Sequence, residues 1–125
     1  MRSAISLSDA AIPIPGLSVA AAAAVAGVPA TALCAATRGR RPIAEARQLA
    51  VYLHHVALGA SLSACARLFR RDRATVRHAC ARIEDRRDDP GFDFAATILE
   101  AALAAQCAMA RDLLRDSGED DEVGQ

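Results

Sequence analysis

Two apolar runs joined by three charged residues constrain this chain more than anything else in it. Residues 62–84 read LSACARLFRRDRATVRHACARIE. In the first run Leu62, Cys65, Ala66 and Phe69 recur at i, i+3, i+4 and i+7, and Val76, Ala79, Cys80 and Ile83 repeat that spacing in the second. Such spacing puts each set on one stripe of an α-helix. Ser61 stands at the N-cap position of the first helix. Asp72 stands at that of the second, where its carboxylate can accept from a backbone N–H two or three residues on. Arg70-Arg71-Asp72 is then a turn, and the whole is a helix-turn-helix. Arg73, Arg77, His78 and Arg82 fall outside the buried stripe and are left for an external partner. A second helix that presents cations in this way suits the major groove of DNA.

Charge distribution supports that reading where net charge does not. The chain is formally neutral, with fifteen arginines, no lysine and fifteen carboxylates. From Arg38 to Arg87, however, twelve arginines face four acids, a surplus of eight positive charges. From Asp88 to Gln125 two arginines face ten acids, a deficit of the same size. A phosphate backbone meets one face of a protein and not its average, so the local surplus is what matters.

The remaining segments read as helical throughout, with no strand. Residues 1–16, with Pro13, Pro15 and Gly16, form an irregular lead. The alanine-rich stretch Leu17–Ala36 predicts a helix near Ser18–Ala26, a break at Gly27-Val28-Pro29, and a short helical turn near Ala30–Ala35. Its mostly alanine composition is near neutral in lipid, so neither a membrane span nor a signal peptide is expected. Residues 37–42, TRGRRP, are predicted to be a non-helical basic loop. Ala44–Leu58 comes next as a helix ended by Gly59, with Leu49, Leu53, Val56 and Ala57 inward and Arg47, Gln48, His54 and His55 on its surface. Asp88-Asp89-Pro90-Gly91 stops the recognition helix. A long amphipathic helix from Phe92 to about Leu114 then carries Phe94, Ile98, Leu99, Leu103, Met109, Leu113 and Leu114. The last residues, GEDDEVGQ, are too charged to pack and are expected to be disordered. The domain plan is a lead (1–16), a helix-turn-helix domain (17–90), a C-terminal helix (91–116) and an acidic tail (117–125).

The residues ARQLAVYLHH, SLSACARLF and DRATVRHACARIED together resemble the C-terminal DNA-binding domain (domain IV) of the bacterial replication initiator DnaA. The likeness rests on Arg47-Gln48 opening one helix, Ser61-Leu62 the next, Phe69, and Asp72-Arg73-Ala74-Thr75-Val76-Arg77-His78-Ala79-Cys80; it extends over roughly residues 18–88. It implies an all-α, Trp repressor-like bundle with a helix-turn-helix, here followed by a long C-terminal helix. No GxxxxGK[ST] motif occurs, so a stand-alone DnaA-related module is expected rather than an ATPase. By position, the resemblance implies minor-groove contacts from Arg38, Arg40 and Arg41. It implies phosphate contacts from Arg47, Gln48, His55, the Leu62 backbone N–H, Thr75 and His78, and base-edge contacts from Asp72, Arg73 and Ala74. Arg71 and Arg77 complete the expected DNA face. Where the family has His followed by Ser or Thr, this chain has Arg73-Ala74, and its turn is one residue shorter. At about 1–3 kcal/mol per good base contact, such changes shift or relax sequence preference more than they reduce general affinity for DNA.

The expected function is therefore sequence-preferring binding of double-stranded DNA in the control of replication initiation or transcription. The alternative is a regulator that acts by contact with the DnaA control machinery, its DNA specificity weakened. No catalytic arrangement, metal or cofactor is expected. His54 and His55 diverge by about 100° on a helix and cannot share an ion comfortably, and Cys34, Cys65, Cys80 and Cys107 lack metal-ligand spacing and read as packing residues. The last helix has two readings: Phe92 to Leu103 packs back on the bundle, or the far half, through Leu114, forms a homodimer contact or a surface for a regulatory protein. The expected location is cytoplasmic, on the nucleoid.

Overall fold

The computed structural model describes residues 15–36 and 39–123, with side chains for 16–36 and 39–115. Five α-helices run through it, and among the described residues there is no strand. They are α1 (Pro15–Ala26), α2 (Arg41–Tyr52), α3 (Leu62–Phe69), α4 (Arg73–Arg86) and α5 (Pro90–Val123). The all-α bundle expected from the sequence is the fold observed. Most of the expected irregular lead lies outside the described residues, as does Arg38 of the basic loop.

α2 is the helix that the others pack on. α1 lies along one side of it and α4 along another, with α3 closing the angle against α4. Fully buried Leu33, Leu53, Cys65, Phe69, Val76, Ile83 and Leu103 make the centre of the core. Both predicted stripes of the helix-turn-helix point there: Cys65 and Phe69 from α3, and Val76, Ala79 and Ile83 from α4, are buried. With so few aromatic rings available, alanines carry the close approaches; Ala22, Ala46 and Ala50 are essentially without exposure.

α2 departs from its sequence reading in three ways. It starts at Arg41, with Pro42 inside the first turn. Proline is tolerated there because the N–H it lacks would have had no helical partner. After Tyr52 the helix widens into a single π-turn, Leu53–Ala57, with the Leu58 N–H bonded to the Leu53 carbonyl. The extra residue per turn rotates the side chains beyond it, so Val56, expected inside, is 46% exposed. Arg47 and His54, expected on the surface, are buried. Each has a specific reason to be inside. Arg47 donates from Nε to the Leu33 carbonyl (2.7 Å) and from a terminal nitrogen to the Ala32 carbonyl (3.1 Å). Those carbonyls belong to the end of a 3₁₀ turn, Ala30–Ala32, shorter than the helical turn expected there. The His54 Nδ1 lies 2.9 Å from the Ser18 Oγ of α1, and its ring meets Phe69 edge-on with centroids 6.1 Å apart. Burial lowers its basicity and holds it neutral.

One arginine that sequence reasoning passed over fastens α5 to the bundle. Arg87, just past α4, reaches Asp93 (2.6 Å), Glu100 (2.6 Å) and Thr97 (2.7 Å) on α5 and the Tyr52 hydroxyl (2.8 Å) on α2. Beside it, the Arg86 guanidinium lies 4.1 Å from the centroid of the Phe92 ring. Ala96, Leu103 and Cys107 form the buried edge of α5. The helix continues to Val123, beyond the end near residue 116 read from the sequence. No proline falls within the added turns, and one glycine, Gly118, costs only about 1 kcal/mol in a helix.

Candidate nucleic-acid interface

α4 is built to be presented. Asp72 caps it, its Oδ1 accepting from the Thr75 N–H at 2.7 Å. That hydrogen bond holds the Asp72 carboxyl below the usual carboxylate range. With Val76, Ala79 and Ile83 turned inward, Arg73, Ala74, Thr75, Arg77, His78 and Arg82 are all exposed. None of the Arg73, Arg77, His78 or Arg82 side chains bonds to another described residue. Four basic side chains on one helix, none of them in an ion pair among the described residues, form a surface that attracts polyanions.

α3 meets α4 through a turn that is tightly specified. Ser61 caps α3, accepting from the Ala64 N–H at 3.0 Å. At the other end Arg70 takes the left-handed conformation (φ 58°, ψ 47°), and the Arg71 N–H reaches back to the Ala66 carbonyl at 3.0 Å. This is the Schellman arrangement that usually ends a helix with glycine. Arginine holds that conformation at a cost of about 1 kcal/mol, and its exposed side chain adds a cation beside α4. Arg71 does something else. One of its terminal nitrogens donates to the carbonyls of Ala35 (3.2 Å), Phe69 (3.0 Å) and Arg70 (3.0 Å). It thereby ties the turn to the segment that leads into the basic loop.

The start of α2 lies alongside α4. Gly39, Arg41, Glu45, Gln48 and Arg82 line one groove between them. Gln48 also lines the adjoining cleft, about 320 Å³, with Arg71, Thr75 and His78. Arg40 and Arg41 are exposed, Arg41 lining the groove and paired with Glu45 at 3.1 Å. Gln48, Thr75 and His78, which the family resemblance assigns to phosphate, are thus brought to one cleft. Leu62 is the first residue of α3, where backbone N–H groups lack helical partners and favour an anion.

Two expected contacts sit differently. Arg47 is buried with its Nε committed to a carbonyl, so as placed it shapes the cleft wall and does not project toward a phosphate. The signal that could have found this is its position, one turn from Ala44 on the same inward stripe as Val51. His55 is half-buried, and its Nδ1 donates to the Ala60 carbonyl at 2.7 Å, which leaves Nε2 as its outward atom. The cysteines are all free thiols; Cys65 and Cys107 are buried, Cys34 and Cys80 partly so. Burial pushes the Cys65 thiol up to about 11, far from a reactive thiolate. No group of three or more His, Cys, Asp or Glu suited to a metal occurs among the described residues.

The comparison with known families agrees with this geometry. The family described as the bacterial DnaA protein helix-turn-helix matches residues 19–83, from within α1 to the last buried residue of α4. No curated protein and no solved structure matches the chain. The match takes in just over half of the 125 residues and every element that builds the cleft, and the chain belongs to the bacterial DnaA helix-turn-helix family of DNA-binding domains.

Proposed function

We propose that this protein binds double-stranded DNA with a sequence preference of its own and serves in the control of replication initiation or transcription. The observation that carries the reading is the outward face of α4: Arg73, Arg77, His78 and Arg82 exposed, unpaired among the described residues, and flanked by the basic start of α2. In this arrangement α4 enters the major groove with Arg73 and Ala74 nearest the base edges. Arg73 can meet a guanine bidentately, and the Ala74 methyl can touch that of a thymine. Asp72 already spends one oxygen on its helix cap, so its free oxygen is the one left to accept from cytosine N4. Thr75, His78 and Gln48 take backbone phosphates in the cleft, while Arg40 and Arg41 serve the adjacent minor groove, a role the family resemblance gives to Arg38 as well.

Fluorescence anisotropy on duplexes with and without a DnaA box, across a salt series, tests this. Affinity falls steeply as salt rises; Arg77→Ala reduces the logarithmic salt slope by about one, while Arg73→Ala costs about 1–3 kcal/mol and relaxes the preference at its base. Failure to bind any duplex at low salt would sink the proposal. Binding that selects a sequence other than the DnaA box is the outcome expected from Arg73-Ala74.

A further inference from the structure

α5 carries a second apolar face that no described residue covers. Phe94 (69% exposed), Ile98 (53%), Met109 (64%) and Leu113 (63%) all stand largely in the open. With about 100° per residue, these four and Ala102 and Ala105 fall within a sector of roughly 100°. The stripe adjoins Val25 of α1, 67% exposed, and the apolar groove that α1 forms with Leu99, Ala102 and Met109.

In order, the stripe reads Phe94, Ile98, Ala102, Ala105, Met109, Leu113. In side-chain size it is a palindrome: two large, two small, two large. We propose that a second copy of this chain covers it, its α5 antiparallel to the first and crossing at the alanines. Phe94 then meets the partner's Leu113, Ile98 meets the partner's Met109, and Ala102 meets the partner's Ala105. The small residues let the two backbones approach where the helices cross, and the large ones fill the gap toward the ends. Every contact occurs twice about one two-fold axis, as an isologous interface requires. Antiparallel helix dipoles favour this direction over the parallel one.

The area is of the right order. From Phe94 to Leu113 the stripe is about 30 Å long, and with the α1 edge about 20 Å wide. That is on the order of the ~800 Å² each partner gives to a standard interface. Residues 90–115 are also long and apolar enough to cross a membrane. The opposite edge of the same helix argues against that occupant. Asp93, Thr97 and Glu100 are held by Arg87, and drawing the helix into lipid would strand those charges.

Sedimentation equilibrium of the full chain tests the proposal. The expected mass is twice the 13.1 kDa of the chain. Ile98→Glu with Met109→Glu weakens the dimer at least about 100-fold, two exposed anchors being lost, while the helical circular dichroism is unchanged. A monomer at every concentration up to about 100 µM, or a double variant that stays dimeric, overturns the proposal. An independent check uses the chain carrying Ile98→Cys and Met109→Cys together, oxidised and digested. Links joining the peptide of 98 to that of 109 across protomers support the antiparallel pairing; links of 98 to 98 and 109 to 109 overturn it. Flotation of the wild type with phosphatidylcholine–phosphatidylglycerol vesicles, lost in the double Glu variant, would make a membrane the occupant and also overturn it. Arg73→Ala and Arg77→Ala leave the mass unchanged, so self-association is read separately from DNA binding.

Discussion

The Arg47 Nε lies 2.7 Å from the Leu33 carbonyl, which places a cation inside the bundle as the link between α2 and the 3₁₀ turn before the basic loop. Both groups left water to make the bond, and removing either strands the other. Arg47→Met therefore destabilises the fold by about 2–4 kcal/mol. Arg73→Ala, on the exposed face, costs less than about 0.5 kcal/mol. Urea denaturation of the two variants measures the contrast; equal stability would mean that Arg47 is not structural.

Arg87 offers a second contrast. Its side chain joins two carboxylates, a threonine and a tyrosine from two helices, and its hydrogen bonds to Asp93 and Tyr52 hold its charge firmly. Arg87→Met costs about 1–3 kcal/mol, discounted for partial exposure. It also makes α5 the first segment cut in limited proteolysis. Arg87→Lys recovers only part of the loss, because an ammonium cannot span four partners with a planar fork.

Arg70 allows a gain. Glycine adopts its left-handed conformation without a Cβ penalty, so Arg70→Gly raises stability by up to about 1 kcal/mol. The same change removes a cation next to α4 and lowers the salt slope of DNA binding by as much as one. A variant both more stable and a weaker binder would show a helix cap traded for charge. A fall in melting temperature would contradict the strain assigned to this residue.

His54 sets a pH dependence. Burial lowers its pKa in the folded state below the unfolded value of about 6.5. Above that pH both states hold the ring neutral and its contribution is fully present. Below it the unfolded chain takes up a proton that the folded chain resists, so stability falls with acidification, by up to about 1.4 kcal/mol per pH unit. His54→Leu combined with Ser18→Ala removes the titrating ring without stranding its hydroxyl partner. Between pH 7 and 5 the wild type should then lose stability more steeply than the double variant, whatever their offset at pH 7.

The helix-turn-helix was legible because its information is local. Apolar spacing and two capping residues, Ser61 and Asp72, mark α3 and α4 from within the segment itself. Arg47 and His54 were misread for the opposite reason. Polar residues on a helix default to the surface, and what brings these two inside are a carbonyl pair near residue 33 and a hydroxyl at residue 18. Neither partner can be seen from α2 alone. Val56 was lost to the π-turn, a one-residue change of pitch that a fixed 100° wheel does not represent. On the DNA face, the exposed residues of α4 followed directly from its stripe. The embedding of Arg71 among three carbonyls depends on a chain reversal that spacing does not encode.

That embedding bears on how quickly a target is accepted or rejected. A loop and a helix that moved independently would each have to be ordered during the encounter, and each would adapt to an imperfect site. With Ala35, Phe69 and Arg70 gathered on one guanidinium, the distance between the loop root and the reading helix is set before any duplex arrives. The protein then behaves less like a hand closing than like a gauge of fixed span. On the DNA contacts proposed above, a duplex whose grooves fit that span is gripped at both places at once, and one that does not is released after the first touch.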